Sequence, residues 1–294
     1  MEERRKLTIP DLLAMVERGE KIAFLTAYDY PSALLEDRAG MDMILVGDSG
    51  AMCLLGHKTT LPATMDFMVA ITAAVSRAAS RAFVVGDMPY MSYQPSNELA
   101  IKNAGRFIAE GGADAVKLEG GVRMADRVEA IVKAGIPVMG HIGLTPQAAS
   151  MIGGLKSQGR SAQTAKQLID DAACLEEAGA FAILLEAIPA RVAELIAKRA
   201  KVPILGIGSG PACHGQLLIV HDILGLFEAF TPKFVKRYAD LAPIMLQAFQ
   251  GYIRDVKEGA FPGPEHVYHI PKEEWEELRA MIQSSTMGEG HGLA

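Results

Sequence analysis

Cysteine is scarce in this chain of 294 residues. The three cysteines, Cys53, Cys174 and Cys213, lie far apart and form no CxxC pair. This spacing excludes a disulfide framework and a zinc knuckle. We therefore expect reduced thiols with a structural role.

Positive charge is also in short supply. The sequence has 29 Lys and Arg residues against 35 Asp and Glu residues, a formal net charge of −6 at pH 7. No basic stripe is present to neutralise a phosphate backbone. We therefore expect small-molecule substrates and no nucleic-acid partner.

An uninterrupted apolar run long enough to cross a membrane is missing as well. The apolar stretch from Phe181 to Ala197 is broken at Glu186 and Arg191, well short of the roughly 20 apolar residues that a spanning helix needs. The first residues carry charge but no apolar signal-peptide core. These absences predict a cytoplasmic protein with no membrane contact.

What the sequence does contain is a recurring helix-to-strand unit. An amphipathic stretch ends in Gly, and a short run of apolar, β-prone residues follows, as in the segments from Glu36, Ala109, Val132 and Glu176. Gly after a helix accommodates the left-handed conformation that ends it. The eight strands predicted in this way are Ile22–Ala27, Met43–Gly47, Phe83–Gly86, Ala115–Leu118, Val138–His141, Ala182–Leu185, Ile204–Ile207 and Leu218–His221.

Eight such units in a chain of this size predict an α/β protein with a (β/α)8 TIM barrel, in preference to an open parallel sheet. A helix at Asp11–Arg18 is expected to cover the barrel bottom. Pro232–Lys257 predicts one or two helices, and Lys272–Ile282 another before a frayed polar tail. This interpretation treats residues 1–294 as a single barrel domain, with 271–294 as a helical or frayed C-terminal extension.

The ends of predicted strands two to six are unusually polar. In a barrel enzyme the active site lies at the C-terminal ends of the strands, so their side chains meet at one rim. The candidate site residues are Asp48, Ser49, Asp87, Lys117, Glu119, His141 and Glu186.

Each candidate also has a structural explanation when taken alone. Asp48 could cap the following helix, Lys117 and Glu119 could pair on one face of a strand, and His141 could be a hydrogen-bonded core residue. Jointly, however, burying four carboxylates near one lysine costs on the order of several kcal/mol per ion unless a cation compensates. The hard oxygens of Asp48 and Asp87 favour Mg²⁺, with Glu119 hydrogen-bonded to its waters.

Two loops beyond the strands allow two interpretations each. Gly206–Gly210, with the sequence GIGSG, suits either an anion-binding backbone or a simple tight turn. Gly153–Arg160 suits either a lid over the site or an ordinary surface loop.

A series of short motifs runs in order through most of the chain, from about Lys21 to His269. Taken together, these motifs resemble the ketopantoate hydroxymethyltransferase family. The matching stretches include LTAYDYPSA at Leu25, VGDS at Val46, GDMPYMSY at Gly86, VKLEGG at Val116, GHIGLTPQ at Gly140, GGLKSQGR at Gly153, LLEAIP at Leu184, GIGSGPACHGQ at Gly206 and HDILG at His221.

The resemblance implies a barrel of the phosphoenolpyruvate/pyruvate-utilising superfamily and one Mg²⁺ per subunit. It implies 5,10-methylenetetrahydrofolate as one-carbon donor and 3-methyl-2-oxobutanoate (ketoisovalerate) as acceptor, which gives ketopantoate in the first step of pantothenate biosynthesis. It also implies a homo-oligomer larger than a dimer, with a decamer expected.

The resemblance further implies a role for each candidate residue. Asp48 and Asp87 match metal ligands that also border the substrate. The other roles are a partner of metal-bound water at Glu119, contacts to the oxo acid at Ser49 and Lys117, a pocket histidine at His141 and the general base at Glu186.

The sequence departs from the family pattern in the loop after strand seven. It reads His214-Gly215-Gln216 where the family usually has Asp-Gly-Gln. We expect this difference to affect the loop or the choice of acceptor, and not the metal. The segment after His269 extends past the usual family end.

Two other classes of function remain as alternatives. A carbon–carbon or phosphorus–carbon lyase or mutase on the same barrel would also use Mg²⁺, but it typically carries a KKCGH-type cysteine motif, which this sequence lacks. A non-catalytic oligomeric scaffold would have no need for polar strand ends.

Overall fold

The computed structural model describes residues 5–288. The chain forms two compact units that divide between Asp240 and Leu241. The first unit holds all eight strands, and the second holds two long helices and a short 3-10 turn.

Eight parallel strands close into a barrel in chain order, and the last pairs with the first. This closure confirms the predicted (β/α)8 fold and excludes the open sheet. The strands are β1 Ile22–Thr26, β2 Met43–Val46, β3 Phe83–Asp87, β4 Ala115–Glu119, β5 Val138–Gly143, β6 Ala182–Glu186, β7 Ile204–Ile207 and β8 Gly215–Leu218.

Helices alternate with the strands and continue beyond them. The helices are α1 Ile9–Glu17, α2 Tyr30–Ala39, α3 Gly50–Cys53, α4 Met65–Ala78, α5 Asn97–Ala109, α6 Ala125–Lys133, α7 Ala149–Ile152, α8 Ala162–Glu177, α9 Ala190–Ala197, α10 Val220–Ile223, α11 Leu241–Lys257 and α12 Lys272–Gly288. Short 3-10 turns lie at Val122–Met124, Pro146–Ala148 and Pro264–His266. Across residues 5–288, none of these helices has the length and apolar character that crossing a membrane requires.

Two predicted elements are wrong in position. The eighth strand is Gly215–Leu218, and not Leu218–His221, because the apolar run from Leu217 continues past the strand into α10. The helix predicted from Pro232 begins only at Leu241. Pro243 explains this start, since proline lacks the N–H that an interior helical position must donate.

The barrel bottom is closed by apolar packing from α1. Leu12 and Met15 of this helix are buried in one cluster with Phe24, Met43 and Leu205 from the strands. Their spacing along the helix places both side chains on the same face. The predicted capping of the barrel bottom is therefore confirmed.

Three strands begin with the same polar contact at the barrel bottom. In each case the residue before the strand accepts a hydrogen bond from a backbone N–H of the neighbouring strand. The pairs are Asp42 Oδ2 with Ala23 N at 2.9 Å, Asp114 Oδ2 with Val84 N at 2.7 Å and His214 Nδ1 with Ile204 N at 3.0 Å. His214 thus accepts the same type of hydrogen bond as Asp42 and Asp114, at the end of the barrel opposite the predicted rim. The expected influence of His214 on the choice of acceptor substrate stays a prediction, and a position at the barrel bottom gives it no support.

The second unit carries an exposed apolar helix. On α11, Ile244, Leu246, Phe249, Tyr252 and Ile253 are all exposed. The predicted helix Lys272–Ile282 is confirmed as α12 and continues to Gly288, where a frayed tail was expected. Residues 289–294 of that tail lie outside the described residues.

Candidate active site

A cavity of about 700 Å³ lies at the C-terminal end of the barrel. It brings together all the candidate residues, because parallel strands of a closed barrel end at a common rim. The lining includes Asp48, Ser49, Asp87, Lys117, Glu119, His141 and Glu186. The individual roles of these residues stay predictions.

Lys117 provides a fully buried positive charge in this cavity. Its Nζ lies 2.7 Å from Asp87 Oδ1 and 3.9 Å from Glu119 Oε1. Burial opposes the charged form, but Asp87, Glu119 and Asp48 together raise the pKa of Lys117 well above its usual value. The ammonium group therefore remains charged and balances part of the acidic cluster.

Asp48 and Asp87 are buried side by side. Burial, Asp87 and Glu119 raise the pKa of Asp48 well above its usual value. Burial also raises the pKa of Asp87, although Lys117 acts against it. The backbone N–H of Asp48 donates to Asp87 Oδ2 at 3.0 Å, which holds the two residues together. Any added positive charge would stabilise the ionised forms of both carboxylates.

His141 joins Glu119 to Glu186. Its Nε2 lies 3.1 Å from Glu186 Oε2, and its Nδ1 lies 3.6 Å from Glu119 Oε1 and 3.3 Å from Lys117 Nζ. Burial and Lys117 disfavour the charged ring, but Glu119 and Glu186 raise the pKa of His141 to about 9. The Glu186 side chain is 16% exposed against 3% for His141. Of the four side chains, all of which line the cavity, Glu186 is therefore the most exposed to it.

A glycine allows the ends of β5 and β6 to approach closely beside Glu186. Gly143 has φ +97°, and a Cβ there would lie 2.3 Å from the backbone oxygen of Glu186. Any side chain would push the two strands apart. This glycine helps to fix the position of Glu186.

Gln147 is a site residue that our reading of the sequence missed. It lies on the Pro146–Ala148 turn after β5, and its Nε2 donates to Asp48 Oδ2 at 3.0 Å. Its backbone N–H donates to Glu119 Oε2 at 3.0 Å, and Tyr93 Oη donates to its Oε1 at 2.7 Å. Gln147 thus orients two of the candidate acids. The GHIGLTPQ motif contains Gln147, but the sequence prediction selected polar residues at strand ends, and Gln147 is an uncharged residue in a turn.

Ser49 and Cys53 lie at the start and end of α3. The Ser49 Oγ and Tyr28 Oη are 2.9 Å apart, so the buried tyrosine orients the serine. Cys53 also lines the cavity, and burial raises the pKa of its thiol to about 11. The thiol is protonated at neutral pH.

The two loops singled out by sequence both reach the cavity. Gly208 of the GIGSG loop lines it, and Ser209 Oγ donates to Leu185 O at 2.7 Å, which fixes this turn on β6. Leu155, Lys156 and Ser157 of the segment Gly153–Arg160 line it as well. The position of this segment agrees with a lid.

The carboxylates of Asp48, Asp87 and Glu119 are the candidate ligands and water partners for Mg²⁺. Within residues 5–288, no group of three or more His, Cys, Asp or Glu residues is arranged to hold a metal ion. Mg²⁺ needs no such group, because it commonly binds one or two carboxylates and completes its shell with water and substrate oxygens. Asp48 and Asp87 fit this requirement. Glu119 Oε1 is buried without a hydrogen bond, as expected of an acceptor for nearby water.

Fold and site together define an enzyme of the (β/α)8 barrel class with an acidic rim. A phosphonopyruvate hydrolase solved in complex with oxalate and Mg²⁺ has a TM-score of 0.59 and 14% identity, over 97% of this chain and 100% of that one. A 2,3-dimethylmalate lyase, described as a member of the PEP mutase/isocitrate lyase superfamily, has a TM-score of 0.56 and 15% identity, over 97% and 98%. These structures share the (β/α)8 barrel fold with this chain.

The sequence comparisons give the particular family. The family model for ketopantoate hydroxymethyltransferase matches residues 6–264. The 3-methyl-2-oxobutanoate hydroxymethyltransferase of Moorella thermoacetica is 56% identical over 268 residues, which cover 91% of this chain and 100% of that protein. The chain belongs to the ketopantoate hydroxymethyltransferase family, as the motifs predicted.

Proposed function

We propose that this chain transfers a hydroxymethyl group from 5,10-methylenetetrahydrofolate to 3-methyl-2-oxobutanoate, forming ketopantoate in the first step of pantothenate biosynthesis. The observation that carries the proposal is the acidic rim in which Asp48, Asp87, Glu119 and Glu186 converge on one cavity. It is supported by a sequence 56% identical to a protein named for this activity. We place the protein in the cytoplasm, where the substrates of such a biosynthetic step are made.

We assign one Mg²⁺ per subunit to the carboxylates of Asp48 and Asp87, with Glu119 as acceptor of a hydrogen bond from its water. When bound, the ion would supply positive charge that stabilises negative charge on the oxygens of the oxo acid. The raised pKa values of both aspartates support the assignment, because they reflect burial and, to a smaller extent, neighbouring carboxylates, and a bound cation would offset both effects.

Lys117 and Ser49 are assigned to binding of the oxo acid. The Lys117 ammonium is charged and buried, so it attracts the substrate carboxylate in a site with little competing water. Tyr28 holds the Ser49 hydroxyl in place, so its hydrogen bond to the substrate requires little reordering. Together these groups orient C3 of the oxo acid.

Glu186 is assigned as the general base that removes the proton from C3. It is more exposed to the cavity than His141, whose ring nitrogens already lie against Glu119, Lys117 and Glu186 itself. His141 Nε2 keeps the Glu186 carboxylate in position. The enolate carbon then attacks the methylene carbon of the donor. A carbon–carbon bond forms as the bond from that carbon to N10 breaks, and N10 takes up the proton removed from C3. Water then displaces N5 from the same carbon and leaves a hydroxyl group on it, and N5 takes up the other proton of water as tetrahydrofolate departs.

Product analysis tests this proposal directly. The purified protein is incubated with 3-methyl-2-oxobutanoate, 5,10-methylenetetrahydrofolate and Mg²⁺, and ketopantoate is sought by mass spectrometry. In D₂O without folate, the C3 proton should exchange, as followed by proton NMR. The Glu186→Gln variant should lose both exchange and turnover by at least about a hundredfold, the lower range for a general base.

Two results would contradict these assignments. Wild-type protein that forms no ketopantoate under these conditions would overturn the activity. Exchange that persists at the wild-type rate in Glu186→Gln would move the base elsewhere.

We also propose a homo-oligomer larger than a dimer, with a decamer expected. The exposed apolar side chains of α11 support association, because a contiguous apolar surface is normally covered by a partner. Light scattering at micromolar concentration tests this proposal, and a monomeric mass would contradict it.

A further inference from the structure

The cavity has a second side that none of the candidate residues supplies. This side is built by β8 and the segment after it, which contributes Asp222, Phe227, Phe230 and Phe234 to the lining. In the closed barrel β8 lies opposite β4, the strand of Lys117 and Glu119. A small branched oxo acid at the acidic rim leaves most of a cavity of about 700 Å³ for a second ligand.

Asp222 is the acidic residue on this second side, and its carboxylate has no protein partner. The residue is only 7% exposed. In the described part of the chain, no hydrogen bond or ion pair reaches its side-chain oxygens. Arg237 acts on it only from beyond ion-pair distance, and burial raises the pKa of Asp222 to about 6, so the group is largely ionised at neutral pH.

Capping of α10 does not explain Asp222. An acid in the first turn of a helix commonly accepts hydrogen bonds from free backbone N–H groups. Asp222 occupies the first turn of Val220–Ile223 but its side chain accepts none of them. Burial therefore destabilises this carboxylate, and no hydrogen bond from the protein offsets that loss. Such a group is typical of a ligand-binding site.

The surroundings of Asp222 define the chemistry of that ligand. Three phenylalanine side chains line the same cavity and supply apolar aromatic surface, and an ionised carboxylate accepts hydrogen bonds but donates none. The matching ligand is a flat heteroaromatic ring with two adjacent N–H donors on one edge. The oxo acid is itself an anion without N–H groups, so Asp222 would repel it.

The one-carbon donor of the proposed function does carry such a ring. The 2-amino-4-oxo edge of its pteridine presents N3–H and the 2-amino group side by side, and one carboxylate can accept from both. We propose that Asp222 binds this edge of the folate pteridine, while Phe227 and Phe230 cover the ring faces. The assignment rests on the proposed function and adds the recognition of the donor to it.

Binding and kinetics of Asp222→Asn test the assignment. The amide keeps the shape of the side chain but replaces one acceptor oxygen by a donor, which opposes the N–H groups of the pteridine. The KM for 5,10-methylenetetrahydrofolate should rise at least about tenfold, as for loss of a hydrogen bond to a charged group. The dissociation constant of tetrahydrofolate, measured by calorimetry, should rise by a similar factor.

Folate-free measurements show whether the variant is otherwise intact. The KM for 3-methyl-2-oxobutanoate and the rate of C3 proton exchange in D₂O should stay within about twofold of wild type, because in the described part of the chain no hydrogen bond or ion pair joins Asp222 to a residue of the acidic rim. Glu228→Gln serves as the matched control. Glu228 is an exposed acid of the same segment that does not line the cavity, and its loss should leave donor binding unchanged.

The possible failures are distinguishable. Unchanged donor KM and tetrahydrofolate binding in Asp222→Asn, with wild type forming ketopantoate, would overturn the Asp222 assignment and leave the proposed function standing. Loss of exchange together with donor binding would mean general damage to the cavity and would also overturn it. Wild-type protein that forms no ketopantoate would overturn the proposed function itself.

Discussion

The bottom and the rim of the barrel both bury aspartate side chains, and the two sets differ in what surrounds the carboxylates. At the bottom, Asp37 accepts hydrogen bonds from Arg81 N at 2.9 Å, Ala82 N at 2.8 Å and Ser80 Oγ at 2.7 Å. Burial acts against ionisation, but these hydrogen bonds lower the pKa of Asp37. At the rim, burial and neighbouring acids raise the pKa of Asp48 instead.

The contrast shows how one residue type serves two purposes. Donors at the bottom satisfy each carboxylate, so the charge contributes to stability. Acids at the rim lie beside one another with few donors, so they cost stability and remain available to a cation or substrate. Neutralising an acid at the rim should therefore cost function, and neutralising one at the bottom should cost stability.

The largest effect is expected at the rim, for Asp48→Asn. Turnover should fall by roughly a thousandfold, since cation-dependent charge stabilisation contributes several kcal/mol. Mg²⁺ binding should weaken as well. Without Mg²⁺, the free energy of unfolding at pH 7.5 should not decrease, because Asn keeps the hydrogen bond with Gln147 and removes a repelled charge. Ketopantoate formation and urea denaturation measure the two effects.

A marked loss of stability in Asp48→Asn would show that this carboxylate stabilises the fold. The rim would then not differ from the bottom of the barrel in the role of its buried acids. Near-wild-type activity at limiting Mg²⁺ would show that the ligand assignment is wrong. Asp87→Ala should also abolish turnover and weaken Mg²⁺ binding, but it leaves Lys117 without its nearest acid and so is a less clean comparison.

The reverse outcome is expected at the bottom, for Asp37→Asn. The amide cannot accept all three hydrogen bonds, so the free energy of unfolding should fall by about 3 kcal/mol, as for buried donors left without a partner. The kcat of the folded fraction should stay within about twofold of wild type. Urea denaturation and steady-state kinetics on the same sample provide the check, and a large loss of kcat would link this site to the rim.

Glu36 on α2 sharpens the comparison, because neither of its buried carboxylate oxygens has a hydrogen-bond partner. Burial and Asp29 raise the pKa of Glu36 from 4.5 to about 8. Between those values the folded protein holds a proton that the unfolded chain releases, so stability falls as pH rises. From pH 5 to pH 8, Glu36→Gln should gain about 3.5 kcal/mol relative to wild type, at about 1.36 kcal/mol per pKa unit.

Urea denaturation at several pH values measures this gain. Glu17→Gln, which changes an exposed acid, should show none of it. A constant difference between Glu36→Gln and wild type across the pH range would show that Glu36 titrates normally.

The smallest effect is expected for His214→Asp. Aspartate can accept the hydrogen bond from Ile204 N as Asp42 and Asp114 do on their strands, so stability at pH 7.5 should change by less than about 0.5 kcal/mol. Mg²⁺ affinity should be unchanged. His214→Ala, which leaves Ile204 N without an acceptor, should lose about 1 kcal/mol or more.

At acid pH, the free energy of unfolding should differ between the wild type and His214→Asp. Burial and Lys21 lower the pKa of His214 below 6.5. The unfolded chain therefore takes up the proton first, and wild type loses stability as pH falls below about 6.5, whereas His214→Asp does not in this window. Denaturation at pH 7.5 and pH 5.5 measures the difference. A strong change in Mg²⁺ affinity in His214→Asp would contradict the placement of this residue at the bottom.

The residues of the rim were predictable from sequence because two signals coincide there: the apolar runs that mark the strands and the charged residues that end them. Apolar runs after helix-ending glycines located the strands, and the charged residues that ended them, such as Asp87 and Glu186, had to meet once the barrel closed. The lining by those residues follows from strand order alone.

The contacts that support the rim were not predictable in the same way. Gln147 carries no charge and lies in a turn, so only the folded chain shows that it joins Asp48 to Glu119. Asp222 required knowing which side of a four-residue helix faces the cavity. His214 was misplaced because the start of β8 at Gly215 has no apolar signal, and that start decides at which end of the barrel the residue lies.

The half-buried thiol of Cys53 affects which reactions the cavity can hold without side reactions. The proposed donor carries carbon at the oxidation level of formaldehyde, which thiolates capture readily, and a thiolate beside it would compete with the carbon nucleophile of the substrate. Burial keeps Cys53 protonated by raising its pKa to about 11, and the neutral thiol is a poor nucleophile. In the proposed function, the protonated thiol of Cys53 would therefore leave the one-carbon unit free to react with the carbon nucleophile of the substrate.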